Sequence, residues 1–162
     1  MAKQNPKRTI HLATDHAGFA LKETVKIWLT CEGYAVVDHG AKVLEDGDDF
    51  PDFVAEAAMA VSAQPENSYG VIFGGSGEGE AMLANRFPKV RATVYYGGSE
   101  AIIRLSREHN DANVLSFGAR FVTDEEALAR LELWLTLPKE VDERHDRRIK
   151  KIETITRKLH SA

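Results

Sequence analysis

The chain has 162 residues, of which 43% are hydrophobic and 28% are charged, and its formal net charge is -4. This length fits one domain with a buried core, and the composition excludes an intrinsically disordered chain. The weakly acidic balance argues against a nucleic-acid partner, so an anionic ligand would need a local basic cluster.

The N-terminal segment and the cysteine count indicate the cellular compartment. No apolar stretch of signal-peptide length precedes Asp15, and no later run reaches the roughly 18 apolar residues of a membrane span. Cys31 is the only cysteine, so no intrachain disulfide can form. We therefore expect a cytoplasmic protein that makes no membrane contact, with Cys31 as a buried structural thiol.

Strand and helix patterns alternate along the chain. Residues 9–13 are a short apolar run typical of a buried strand, and Leu21, Val25 and Leu29 then recur at helical spacing. The later strand predictions are AVVDHG, YGVIFGG, VRATVYY and NVLSFGA, and the later helix predictions are DDFPDFVAEAAMAVSA, SEAIIRLSREHN and TDEEALARLELWLTL. Because parallel neighbours need a crossover connection, this order predicts one Rossmann-like α/β domain over residues 1–162. It would have three layers, a five-stranded parallel sheet with helices on both faces.

An extended C-terminal helix is predicted after Pro138, over about residues 139–160. On a helical wheel of about 100° per residue, its apolar side chains form one stripe, which consists of Val141, Ile149, Ile152, Ile155 and Leu159. A five-stranded domain does not readily cover such a stripe by itself. We expect the helix to pack on a partner subunit, and the alternative is a helix folded back on its own domain.

A glycine-rich loop follows the third predicted strand. Ligands of such sheets bind outside the carboxyl ends of the strands, and here GGSGEGE holds four glycines within six positions. It fits neither a P-loop nor G-x-G-x-x-G, whose third glycine would fall on Glu80 or Met82, which disfavours a nucleotide-binding domain. We predict that its backbone N–H groups converge at a helix N-terminus and suit an oxyanion or a phosphate. A carboxylate beside them can act as a general base, and both Glu78 and Glu80 fit that role.

The motifs ATDHAGFALK, DDFPDF, GGSGEGEAMLANRFPKVRA, LSREHNDANVLSFGAR and RHDRRI together resemble the ribose-5-phosphate isomerase B family, which includes the galactose-6-phosphate isomerase subunits. The resemblance runs from about Thr9 to Ile152. Many members have a catalytic cysteine where this chain has Gly74, whereas a second branch uses the glutamate that closes a G-G-S-G-x-G-E loop. The chain resembles the second branch, which implies Glu80 rather than Glu78 as the base. Phe50 departs from the tyrosine common in its motif, and this departure affects the choice of sugar.

The resemblance implies an aldose-ketose isomerase that moves a proton through a cis-enediolate without a metal or an organic cofactor. The expected substrate is ribose 5-phosphate, and the alternatives are galactose 6-phosphate, allose 6-phosphate, a tetrose phosphate, or binding by a non-catalytic subunit. Glu80 would be the base and His109 the acid. The implied substrate-binding residues are Asp15, His16, Gly75, Ser76, Gly77, Glu78, Gly79 and Asn110. Family sites lie between subunits, so a homodimer or a dimer of dimers is expected.

The arginines of the last helix are candidates for a phosphate clamp. Arg148 falls inside the apolar stripe and Arg144 at its edge one turn earlier, and a guanidinium on an apolar side needs a partner. Two such planar groups can fork a phosphate, with Arg120 as a third, whereas salt bridges to a partner subunit are the alternative. His11 and His39 are expected to be structural, and no spacing predicts a zinc site.

Overall fold

The computed structural model describes residues 8–161 and contains one parallel sheet of five strands in the order β2-β1-β3-β5-β4. The strands are β1 (Thr9–Thr14), β2 (Ala35–Asp38), β3 (Ser68–Gly74), β4 (Ala92–Tyr95) and β5 (Val114–Gly118). The helices are α1 (Phe19–Cys31), α2 (Phe50–Ala63), α3 (Glu78–Ala84), α4 (Ala101–Glu108), α5 (Asp124–Thr136) and α6 (Glu143–His160), and a 3-10 turn over His16–Gly18 precedes α1. The predicted fold class is confirmed.

Two hydrophobic clusters hold the three layers together. On one face Val71 and Phe73 of β3 pack with side chains of α1, α4 and α5, and on the other Ile72 packs with α2 and α3. This alternation is the two-residue period of a strand that is buried on both sides. Strand β3 is accordingly buried along its whole length, which fixes the position of the loop that follows it.

Cys31 does not lie in the core. The buried residues of α1 that face the sheet include Leu21, Val25 and Leu29, whereas Cys31 ends the helix and is exposed. Two residues beyond Leu29 the helix has turned by about 200°, so the thiol points to solvent. The prediction of a buried thiol was wrong because helical phase, rather than residue type, decides burial at this position.

Helix α6 leaves its apolar stripe uncovered by the described chain. Asp142 caps the helix by accepting a hydrogen bond from the backbone N–H of His145 at 3.0 Å, so the helix begins at Glu143 and not near residue 139. His145 is its buried residue, whereas Ile152 and Leu159 are 53% and 74% exposed. An ion pair of 3.1 Å between Arg91 and Glu153 ties the helix to its own domain. None of the helices among residues 8–161 combines the length and apolar character needed to cross a bilayer.

A hydrogen-bonded pair of histidines beside the sheet makes the stability of the fold depend on pH. His11 on β1 and His39 after β2 share a hydrogen bond of 2.9 Å between Nδ1 and Nε2, which needs a proton on only one of these two nitrogens. Burial, with the nearby His39 ring, lowers the pKa of His11 to about 4. The folded state therefore favours the neutral ring, and the unfolded chain takes up a proton below about pH 6.5.

We expect the free energy of unfolding to fall as the pH is lowered from 6.5 to 4, and the His11 contribution to this loss to be about 1–2 kcal/mol. The full shift would correspond to about 3 kcal/mol, and partial exposure of the ring reduces it. Denaturant unfolding of the wild type and of His11→Gln across this range measures the difference. A variant that lost stability as steeply as the wild type would contradict this assignment.

Candidate active site

The order of the strands places a crevice between β1 and β3. The chain leaves β1 toward β2 on one side and returns to β3 on the other, so the loops after β1 and β3 diverge. Such a reversal of strand order is where open α/β sheets bind their ligands. Asp15 and His16 follow β1 directly, and the glycine-rich loop follows β3.

Strand β5 and the turn after it hold the carbonyl groups of the glycine-rich loop. The Gly74 and Gly75 carbonyl oxygens accept backbone hydrogen bonds from Ala119 at 2.8 Å and Arg120 at 3.1 Å, and the Ser116 hydroxyl donates to the Gly77 carbonyl at 2.6 Å. In a planar trans peptide the N–H points away from the carbonyl of the same unit. The N–H groups that follow these carbonyls are therefore directed away from β5, as an anion cradle requires.

Gly77 cannot be replaced without strain. It caps α3 with a φ of 79°, and an added Cβ would lie 2.9 Å from the Phe117 carbonyl carbon. That backbone conformation favours glycine, and the close approach of β5 excludes a side chain.

The Glu80 carboxyl lies under the loop. Glu80 is 4% exposed, whereas Glu78 is only partly buried. A Cβ built on Gly74 would overlap the Glu80 carboxyl group, so this carboxyl occupies the space that a residue 74 side chain would need. Burial raises the pKa of the Glu80 carboxyl, and the negative charge of Asp15 adds to the increase. A carboxyl of this kind suits proton transfer near neutral pH.

Asp48 is a member of the site that sequence reasoning missed. Its Oδ1 accepts hydrogen bonds from the backbone N–H of His16 at 2.8 Å and from His16 Nδ1 at 2.7 Å. Asp15 caps the same turn by accepting from the Ala17 N–H at 2.9 Å. Two residues after Asp48, the Phe50 ring packs against Gly79, where an added Cβ would lie 3.0 Å from Phe50 Cζ. The position of Asp48 in an acidic run before α2 was the available signal, but such runs are usually solvated.

Arg120 lies at the mouth of this crevice. Its guanidinium covers Gly75, where an added Cβ would lie 3.0 Å from an Arg120 terminal nitrogen, and the side chain is otherwise exposed. An exposed guanidinium beside the loop is available to an anionic ligand.

The remaining candidate residues lie toward the amino ends of the strands. His109 and Asn110 follow α4 and lead to the amino end of β5, and the His109 ring packs on the His145 ring of α6 with centroids 4.1 Å apart and planes tilted by 32°. Asn110 and Arg148 line one groove of about 350 Å³. The register pairs Gly70 with Val114 and Gly74 with Gly118, a span of about 13 Å along β3. Within one chain, the residues at the carboxyl ends of the strands are therefore Glu80, Asp15, His16 and Arg120. Four further candidates do not lie there, namely His109, Asn110, Arg144 and Arg148.

Two groups of side chains within residues 8–161 have ligand atoms close enough to share a metal ion. They are Asp15, His16 and Asp48, and His109, Glu140 and His145. In the first group the imidazole–carboxylate hydrogen bond accounts for the spacing. In the second, His109 Nε2 and His145 Nδ1 lie 3.6 and 3.8 Å from the same oxygen of Glu140, and these imidazole–carboxylate contacts account for the spacing. The prediction that no metal is needed stays a prediction.

Comparison with known proteins gives a consistent family. The family model described as Ribose/Galactose Isomerase matches residues 10–152. Ribose-5-phosphate isomerase B of Mycolicibacterium paratuberculosis is 39% identical over 140 residues, which are 86% of this chain and 86% of that protein. The Escherichia coli protein of the same name is 36% identical over 148 residues, 91% and 96% of the two chains.

Solved structures agree with the sequence comparison. Ribose-5-phosphate isomerase B from Mycoplasma genitalium with bound ribulose-5-phosphate superposes with a TM-score of 0.87 at 35% identity, covering 92% of this chain and 96% of that one. The type B ribose 5-phosphate isomerase of Trypanosoma cruzi gives a TM-score of 0.85 at 34% identity, covering 96% and 99%.

Proposed function

The chain belongs to the ribose/galactose isomerase family, and we propose that it interconverts ribose 5-phosphate and ribulose 5-phosphate through a cis-enediolate. The buried Glu80 carboxyl beneath the glycine-rich loop is the observation that carries this proposal. Glu80 takes the proton from the carbon next to the carbonyl and returns it to the neighbouring carbon. The loop N–H groups stabilise the oxyanion of the intermediate.

The glutamate performs the role that other members give to a cysteine at the position of Gly74. The placement of the Glu80 carboxyl in the space of an absent residue 74 side chain supports this assignment. Its raised pKa supports it as well, because a base works best when its pKa lies near the working pH.

The acid and the phosphate clamp come from a second subunit. His109 of the partner subunit aids ring opening, Asn110 of the partner subunit donates to the intermediate, and its two α6 arginines bind the phosphate. The distance between the carboxyl and amino ends of the strands supports this arrangement, since one chain does not bring the base, the acid and the clamp arginines together. The exposed apolar stripe on α6 supports it too, because the helix that needs cover also carries Arg144 and Arg148.

A turnover assay tests the function. We expect the pure protein to form a ketose from ribose 5-phosphate without added metal, and to act less well on galactose 6-phosphate, allose 6-phosphate and erythrose 4-phosphate. Faster conversion of another sugar would change the substrate and keep the reaction class. Binding of these sugars without conversion of any would favour the non-catalytic subunit instead.

Conservative replacement of a clamp arginine tests the phosphate assignment. Arg148→Lys keeps the charge but loses the planar two-pronged donor set, so KM for ribose 5-phosphate should rise about tenfold to a hundredfold. Steady-state kinetics and binding of the unphosphorylated sugar provide the measurement. Arg147→Lys is the matched control, because Arg147 is also exposed but does not line the groove that Arg148 shares with Asn110. Equal losses for phosphorylated and unphosphorylated sugar would show that Arg148 holds the helix or the dimer instead.

A further inference from the structure

Asp48 stands out among the charged side chains near the crevice because one of its oxygens serves a single neighbour twice. Oδ1 accepts from both the backbone N–H and Nδ1 of His16, at 2.8 and 2.7 Å. Two bonds from one residue to one oxygen leave the imidazole little freedom about χ1 and χ2. The Asp48 side chain is 11% exposed, so water competes weakly for these bonds.

The second oxygen of Asp48 increases this coupling. Oδ2 is buried and has no hydrogen-bond partner among the described residues. The negative charge of a buried carboxylate is poorly stabilised when only one of its two oxygens accepts hydrogen bonds. A positive charge on the bonded imidazole would stabilise it. The Asp48 carboxylate therefore favours the charged form of His16.

We propose that Asp48 is a positioning residue that holds His16 in one orientation and favours its protonated ring, with Nε2–H presented as a donor to the phosphosugar. This step rests on the proposed function, because it assigns His16 to the ligand of the same site. With Nδ1 bonded to Asp48, Nε2 is the ring nitrogen that remains for a ligand. The His16 side chain is 30% exposed, which leaves that side of the ring accessible.

The charges around His16 point in the same direction. The hydrogen bond to Asp48 is the largest cause that raises the pKa of His16, and the carboxylates of Asp15 and Asp46 add to the increase. Asp15 Oδ2 lies 4.0 Å from Nδ1 on the turn of His16 itself, and Asp46 and Asp48 belong to the segment between β2 and α2. A cationic His16 offers an anionic ligand a charge-assisted hydrogen bond, which a neutral ring would not.

The test removes the charge of Asp48 and keeps its shape. Asp48→Asn retains an oxygen that accepts from both donors, so we expect the ring to stay in place but its NMR-titrated pKa to fall. His16→Gln assigns the resonance. Asp49→Asn is the matched control, since Asp49 is an exposed neighbour whose side chain makes no cap bond, and it should leave the pKa of His16 unchanged. An unchanged pKa in Asp48→Asn would overturn the proposal, and this measurement needs no enzymatic activity.

Steady-state kinetics test whether the orientation of His16 affects binding of the phosphosugar. In Asp48→Asn the KM for ribose 5-phosphate should rise about tenfold at neutral pH, and less at pH 5.5, where His16 is protonated without help. In a His16→Gln background the same change should have no further effect. An equal rise at both pH values, or full additivity with His16→Gln, would show that Asp48 is only structural. If Asp48→Asn does not fold, Asp48→Ser takes its place, and the pKa of His16 should again fall because the carboxylate is absent.

If the protein proves not to be an isomerase, binding of ribose 5-phosphate measured by calorimetry replaces KM. The failure of the proposed function and the failure of this inference therefore remain distinguishable. A fall in the pKa of His16 without any change in sugar-phosphate binding would overturn the inference alone.

Discussion

Replacing Glu80 by glutamine is expected to lower kcat by about 10² to 10⁴-fold while leaving KM for ribose 5-phosphate nearly unchanged. The amide has the size and shape of the carboxyl but cannot accept a proton from the substrate carbon. Glu80 is buried, and this burial raises the pKa of its carboxyl group. Removing the charge should therefore not lower the free energy of unfolding. We therefore expect the thermal midpoint of Glu80→Gln to equal or exceed that of the wild type.

Glu78→Gln is the control for this experiment. Glu78 begins α3 two residues earlier and is only partly buried, so its replacement should change kcat little. If Glu78→Gln abolished turnover and Glu80→Gln did not, the assignment of the base would be wrong.

Two inactive variants are expected to restore activity when they are combined in one dimer. Glu80→Gln lacks the base at one edge of the sheet, and His109→Gln lacks the acid at the other. In a two-fold symmetric dimer with shared sites, a mixed dimer has one site with both defects and one site with neither, so it should show about half of wild-type activity. Co-expression of the two variants with different affinity tags, followed by tandem purification, isolates this species.

The same experiment can contradict the shared site. A mixed dimer as inactive as its parents would mean that Glu80 and His109 act within one chain. A Glu80→Gln protein carrying both tags controls for the purification. Sedimentation that found only an 18.0 kDa species at micromolar concentration would exclude the dimer altogether.

The sequence predicted the fold and one half of the candidate site because both depend on local order along the chain. Strand and helix periodicity and the positions of the glycines are read from neighbouring residues. The rule for the carboxyl ends of parallel strands then brought Asp15, His16 and the glycine-rich loop together. These features need no knowledge of side-chain packing.

What the sequence did not predict depends on contacts between distant segments. The hydrogen bonds that His16 donates to Asp48 join residues 32 positions apart and follow no periodic pattern. The residues of the loop left Glu78 and Glu80 open as the base and the resemblance favoured Glu80, but the burial of Glu80 beneath the loop depends on the turn of α3. His109 lies in the connection that leads into β5, and in a parallel sheet such a connection lies at the amino ends of the strands, away from the glycine-rich loop.

The Glu80 carboxyl group fills the space that a side chain at position 74 would need. The effects of substitutions at these two positions therefore depend on each other. A side chain at position 74 would displace the carboxyl end of the Glu80 side chain from its place under the loop. Under the proposed mechanism, a chain with a shorter residue 80 and glycine at 74 would lack its base. Position 74 therefore affects where the proposed base lies, and we expect substitutions at 74 and 80 to have non-additive effects on turnover.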